Sequence, residues 1–165
     1  MALVSKLEEL YAPIRPELDE VQGLVGTYWH EVLSLVDDSV VAPPKAGGKL
    51  MRPALCLLAA GVTGVSDLKP FIPVAAAYEL LHMAALIHDD VVDKAALRRG
   101  TLSLNAQWDD RRAVLSGDYL VSRATQLLIK TGSCGLVEDA FEAVRVMTEG
   151  ELSHLANDVT EFTQE

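Results

Sequence analysis

A chain of 165 residues is long enough for one ordinary domain or for half of a larger one. Half of the residues are apolar and few are aromatic, a mix that favours helices over strands. The net charge of −10 excludes a basic nucleic-acid surface, which needs clustered Lys and Arg.

The N-terminal stretch MALVSKLEELY carries charges where a secretory signal has its apolar run, so no signal peptide is expected. The first 40 or so residues read as one or two amphipathic helices, because Leu18, Val21, Leu24, Val25, Tyr28, Val32 and Leu35 recur near helical spacing. Pro13 and Pro16 break or restart the first of them. VVAPPKAGGK is a loop, and a second helix should run from near Lys49 to about Gly61.

GGKLMRP, at the start of that helix, is not a P-loop, because the positions that need Gly and Ser or Thr hold Pro43 and Leu50. It does place Lys49 and Arg52 beside exposed backbone N–H groups, which together suit an anion. Gly64, Ser66 and Asp67 mark a turn, with Ser66 or Asp67 as a cap. The third helix should span about Pro70 to Asp93, apolar nearly all round and therefore central. Glu79 and His82 interrupt its apolar run, which argues against a transmembrane helix.

That helix ends in LIHDDVVD. Asp89 and Asp93 are four apart and share a face, with Asp90 turned away and His82 and Ala85 below them. Acids at a helix C-terminus oppose its macrodipole, and paired carboxylates repel unless a cation lies between them. Oxygen ligands of this kind suit Mg²⁺, which keeps waters and bridges to substrate phosphates. Arg98 and Arg99 follow within a few residues, and guanidinium groups match diphosphate oxygens.

Past RRG, a fourth helical region covers about Leu104 to Lys130, and its start, NAQWDDRRAV, can form a separate short helix. TGSCG breaks the chain before a fifth helix over about Leu136 to Asp158. No strand pattern is evident, so the class is all-α. Cys56 and Cys134 lack ligand-spaced partners and read as free thiols in a reducing compartment, which makes the expected location cytoplasmic. Glu79–His82 and Glu151–His154 are both Glu-x-x-His pairs, as in di-iron carboxylate bundles, but the further glutamates of that design are missing.

With GGKLMRP, ELLHMAALIHDDVVD, RRG, SGDYL and EGEL in this order, the chain resembles the trans-isoprenyl diphosphate synthases, or polyprenyl synthetases. The resemblance implies an antiparallel helical bundle of isoprenoid synthase type, with residues 1–165 forming a single helical domain equivalent to the N-terminal half. It implies that Asp89 and Asp93 bind Mg²⁺, with Asp90 supporting, and that Arg98 contacts an allylic diphosphate. Lys49, Arg52, His82 and Arg99 would hold isopentenyl diphosphate. The implied reaction is a head-to-tail condensation of the two substrates. Product length in the family is read four or five residues before the first aspartate, at Ala85 and Ala84. Small residues there imply a medium- or long-chain product.

The sequence departs from the family pattern in three ways. Leu50 stands where Arg is usual after GGK, and His154 stands where Gln is common after EGE. Family members also run about twice as long, and their second half carries another aspartate-rich motif and a lysine that complete the metal cluster. A chain of this length is therefore expected to be weakly active or inactive alone. The alternative expectation is a non-catalytic diphosphate-binding small subunit or regulatory partner. Open apolar helix faces would favour a homodimer or a partner subunit.

Overall fold

A computed structural model describes residues 2–36, 50–98 and 100–162, with side chains described within 6–156 of that range. Lys49 and Arg99 lie outside the described residues. The chain divides into two compact units, residues 1–131 and 132–165, and each is described by itself.

The first unit contains six helices among its described residues. They are α1 (Ala2–Tyr11), α2 (Arg15–Leu35), α3 (Met51–Val62), α4 (Ile72–Val92), α5 (Leu104–Gln107) and α6 (Asp110–Lys130). Short 3₁₀ turns at Ala12–Ile14 and Lys69–Phe71 carry the chain into α2 and α4. Pro13 and Pro16 lie at this first junction, where the missing proline N–H costs little because the opening turn of a helix has no partner for it. At the second junction the Asp67 carboxylate accepts the Lys69 backbone N–H at 3.1 Å, a local Asx-type bond; the N-cap of the 3₁₀ turn is Leu68, without a side-chain cap, and not Ser66 or Asp67 as the sequence suggests.

Helix α4 is the core element, and its most extensive packing is against α6, with α3 and α2 also against it. Its buried residues include Val74, Ala76, Leu80, Met83, Ala84 and Ile87. Full burial of a side chain such as Leu80 or Ile87 contributes roughly 1.5–3 kcal/mol each. Helix α6 meets it with a stripe rich in small residues, namely Ala113, Ser116, Gly117 and Ala124, and small side chains allow close helix approach. Gly117 marks the tightest point, because a Cβ built there would lie 2.2 Å from His88 Nε2. Helix α4 with its leading turn is long and apolar enough to cross a bilayer, but 56% of that apolar window is buried against protein, as in a core helix.

Helix α2 buries Leu18, Val21, Val25, Trp29 and Val32, a single stripe at helical spacing. Trp29 stacks on Trp108, with ring centroids 6.3 Å apart and planes 14° off parallel, which ties α2 to the segment after α5. Glu31 on α2 accepts hydrogen bonds from Tyr119 Oη at 2.8 Å and Arg123 Nε at 2.9 Å on α6. The Tyr119 hydrogen bond first, then Arg123, holds the Glu31 carboxyl below its usual range despite partial desolvation. The DDRR run opens α6 as an ordinary capped start: Asp109 accepts the Arg112 backbone N–H at 2.8 Å.

One element has no counterpart in the sequence reading. Strands β1 (Leu97–Arg98) and β2 (Thr101–Leu102) form a small antiparallel hairpin, pairing Leu97 with Leu102 and Arg98 with Thr101. Gly100, just before β2, has a φ of +82°, which suits a residue without a Cβ.

The second unit is built on α7 (Cys134–Phe162). Arg145 bridges Glu142 and Glu149 along it, and Glu151 and His154 are exposed.

Candidate diphosphate and metal site at the end of the core helix

The way α4 ends builds the site. The Lys94 N–H donates to the Val91 carbonyl at 3.2 Å, and the Ala95 N–H reaches back to the Asp90 carbonyl at 2.9 Å. These two bonds are a Schellman cap, and its left-handed position is filled by Lys94 at φ +50° rather than by the usual glycine. The chain thereby reverses sharply and returns along the helix end as the hairpin. Ser103 secures the return: its N–H donates to the Ala96 carbonyl at 3.1 Å and its hydroxyl donates to the Ala95 carbonyl.

The three aspartates fall into two environments. Asp89 and Asp93 are exposed, four residues apart on one side of α4. Asp90 is only 5% exposed, and both of its carboxylate oxygens accept from Arg98 Nε, at 2.8 and 2.6 Å. The hydrogen bond to Asp90 pushes the Arg98 pKa still higher, against partial desolvation, and the charges of Asp90, Asp89 and Asp93 add to it. Arg98 is thus held, fully charged, beside the acidic helix end.

Among the described residues, no group of three or more His, Cys, Asp or Glu is placed to hold a metal ion. A closed protein cage is therefore absent among them. Asp89 and Asp93 do fit a different cation. Mg²⁺ is typically bound by one or two carboxylates and completes its shell with waters and substrate phosphates.

The remaining candidates lie on α3 and lower on α4. Arg52 is exposed in the first turn of α3, just after Leu50, which takes a left-handed conformation at φ +44° as the N-cap. His82 and Ala85 are half-buried on α4, whereas Ala84 is 1% exposed and packed into the core. Of the two candidate length-setting positions, Ala85 is the accessible one, one turn below Asp89. Leu81, a further turn down at the same spacing, is also half-buried and is the first bulky side chain on that stripe. None of these residues lines the 440 Å³ groove between α2 and α6, which is walled by Val32, Leu35, Arg112, Leu115 and Tyr119.

The sequence marks Glu79 as a break in the apolar run and as half of a Glu-x-x-His pair, but not as a group that feels the charge of Arg52. It is 5% exposed on α4, one turn before His82. Burial raises its pKa, and the nearby charge of Arg52 partly offsets the rise. The one available signal was a glutamate inside an otherwise apolar helix. His88 turns to α6, with Nε2 3.2 Å from the Val114 carbonyl and 3.5 Å from Asp118.

The family model described as polyprenyl synthetase matches residues 34–165. The chain belongs to the polyprenyl synthetase family. It is 37% identical over 148 residues to an all-trans-nonaprenyl-diphosphate synthase (geranyl-diphosphate specific) of Rhodobacter capsulatus, covering 90% of this chain and 46% of that one. It is 40% identical over 133 residues to heptaprenyl diphosphate synthase component 2 of Geobacillus stearothermophilus, covering 80% and 39%. Among solved structures, a decaprenyl diphosphate synthase from Rhodobacter capsulatus superposes with a TM-score of 0.78 at 32% identity, covering 91% of this chain and 46% of that one. A polyprenyl synthase from Caulobacter crescentus, complexed with calcium and isoprenyl diphosphate, gives 0.74 at 33% identity, covering 88% and 44%. The chain spans less than half the length of these relatives. The polyprenyl synthetase neighbours also agree with the all-α bundle, as about half of the usual domain.

Proposed function

We propose that this polyprenyl synthetase chain supplies the first diphosphate-binding wall of a Mg²⁺-dependent trans-prenyltransferase site. The reaction condenses isopentenyl diphosphate head-to-tail with an allylic diphosphate. The observation that carries this reading is the end of α4, where two exposed carboxylates four residues apart stand beside a tethered, charged arginine.

In this reading Asp89 and Asp93 hold Mg²⁺, which when bound would stabilise the diphosphate as it departs. Arg98 binds the allylic diphosphate through charge-assisted hydrogen bonds. Lys49, Arg52, His82 and Arg99 hold the diphosphate of isopentenyl diphosphate, and with both head groups fixed the two hydrocarbon ends meet. The allylic C–O bond breaks, the isopentenyl double bond forms the new C–C bond, and the released diphosphate takes the proton. No strong protein base is needed. Ala85 leaves room beneath Asp89 for a growing chain, in keeping with the heptaprenyl and nonaprenyl products named for the relatives. A reducing cytoplasm suits the two free thiols.

A second reading has its own support. One relative is named as a component of a heptaprenyl synthase, and this chain spans under half of such proteins. In that reading it works with a second copy or a partner subunit that provides the opposite wall.

The test is a prenyltransfer assay with labelled isopentenyl diphosphate, farnesyl diphosphate and Mg²⁺, beside Mg²⁺-dependent binding of inorganic pyrophosphate. Expected results are pyrophosphate binding by the wild-type chain and its loss in Asp89→Asn, with weak or no turnover by the chain alone. Binding that ignores both Mg²⁺ and Asp89 would sink the proposal.

A further inference from the structure

The proposed reaction gives no task to SGDYL, one of the stretches that mark the sequence. We infer that it forms a socket on α6 for His88, and that His88, seated there, is a positioning residue. It orders the last turn of α4 and so presents Asp89 and Asp93 as a pair.

Each residue of the stretch contributes to the socket. Gly117 is the recess, because a Cβ there would lie 2.2 Å from His88 Nε2 and 2.7 Å from its Cδ2. Asp118 Oδ1 lies 3.5 Å from the same Nε2. That nitrogen also meets the Val114 carbonyl, one turn earlier on α6, at 3.2 Å. A carbonyl only accepts, so the tautomer that satisfies it carries its proton on Nε2. The other residues hold the socket in place. Ser116 is 4% exposed, and its hydroxyl donates to the Arg112 carbonyl at 2.8 Å. The Tyr119 hydroxyl donates to Glu31 on α2 at 2.8 Å, and Leu120 is fully buried. The His88 ring thus crosses from α4 into a part of α6 that is itself anchored to α2.

The last turn of α4 needs such an anchor. Asp89, Asp90 and Asp93 repel one another and oppose the helix dipole, and both effects favour fraying. Apolar burial stops short of this turn: Ile87 is the last buried apolar side chain of α4, while Val91 is half-buried and Val92 exposed. Arg98 holds Asp90 from the hairpin, and His88 is the next residue along from Ile87 that reaches a neighbouring helix. Successive helical residues are rotated by about 100°, so tying His88 to α6 sets the direction of Asp89 away from α6. A turn ordered beforehand spares the cation and its diphosphate the cost of ordering it.

The role of the paired aspartates rests on the proposed function, and the experiment keeps the two apart. Mg²⁺ and inorganic pyrophosphate are titrated calorimetrically into the wild-type chain and into His88→Leu, His88→Gln, Asp118→Asn and the double variant His88→Leu/Asp118→Asn. Circular dichroism compares their helix content. Hydrogen exchange of the Asp93 amide, which donates to the Asp89 carbonyl at 2.8 Å, is followed without ligand. His88→Leu should keep its helices, speed that exchange and weaken Mg²⁺-dependent pyrophosphate binding about fivefold, the ratio that about 1 kcal/mol produces. His88→Gln, whose amide N–H can reach the Val114 carbonyl, should recover most of the loss. Asp118→Asn should weaken binding about twofold, and should add nothing once His88 is gone.

A folded His88→Leu chain that binds Mg²⁺ and pyrophosphate as wild type does would confine His88 to packing and overturn the inference. So would a His88→Gln chain no better than His88→Leu. Should His88→Leu lose its helical signal, His88→Gln and Asp118→Asn carry the comparison, and wild-type loss in neither exchange nor affinity for Asp118→Asn would overturn the socket. If the wild-type chain binds no pyrophosphate, the proposed function fails. Exchange at Asp93 then still decides whether His88 orders the turn, and equal rates in wild type and His88→Leu refute it.

Discussion

Replacing Gly117 by alanine tests the packing that places the site. The new Cβ would lie 2.2, 2.7 and 2.9 Å from His88 Nε2, Cδ2 and Cε1. If the ring stays, helices α4 and α6 must separate, and overpacking of this kind typically costs about 1–3 kcal/mol. If the ring swings out, it leaves the Val114 carbonyl at 3.2 Å and the Asp118 carboxylate at 3.5 Å. The His88 side chain is 34% exposed, so that exit is open, but losing such a hydrogen bond costs about 0.5–1.5 kcal/mol, with strain in addition. Alanine returns up to about 1 kcal/mol over glycine inside a helix. The net expectation is a loss of about 1–2 kcal/mol, or about 2–8 °C in Tm for a chain of this size. Thermal melting followed by circular dichroism measures it. His88→Ala in the same background should remove the clash, with the loss of the His88 hydrogen bond partly offset by the propensity gain, so the double variant should melt above Gly117→Ala. A Gly117→Ala variant that melts at or above wild type would refute the claim that His88 and Gly117 set the spacing of α4 and α6.

Two further perturbations read other parts of the same helix. Lys94→Gly relieves a left-handed residue at the end of α4, at φ +50°, and should stabilise by about 1 kcal/mol; a lower denaturation midpoint in urea would show that the lysine side chain matters more than its backbone. Glu79 has a folded-state pKa above its unfolded value, so its contribution is fully present below the unfolded pKa and is lost as pH rises through the folded one. Glu79→Gln should therefore gain stability over wild type from the ordinary carboxylate range upward, and a Tm difference independent of pH would contradict the assigned cause.

Much of the fold could be read in advance because helices announce themselves through local rules. Prolines and glycines mark where helices stop, and the all-round apolar run from Ile72 to Ile87 identifies the core element without any tertiary information. The rotation of Asp90 away from Asp89 and Asp93 likewise follows from helical periodicity. The features that escaped are those in which tertiary structure overrides local preference. The hairpin strands have two residues each, too few for any alternation to show. Lys94 occupies a backbone state that propensity reserves for glycine, and Leu50 does the same at the start of α3. The Asp90–Arg98 pair spans eight positions across a chain reversal, beyond any periodic pattern. Two of the seven sequence-derived cationic and metal candidates named for the substrates and Mg²⁺, Lys49 and Arg99, lie outside the described residues.

The Trp29–Trp108 stack has a consequence for spectroscopy. These are the only two tryptophans in the chain, and they lie in one contact. Nearly all of the indole emission and much of the near-ultraviolet dichroism will therefore report on the seam between α2 and the segment that follows the arginine hairpin. Trp108 is separated from that hairpin only by α5, so a ligand that tightens the hairpin acts within a few residues of the chromophore pair. The protein carries its own optical gauge a few residues along the chain from the hairpin, without an added label.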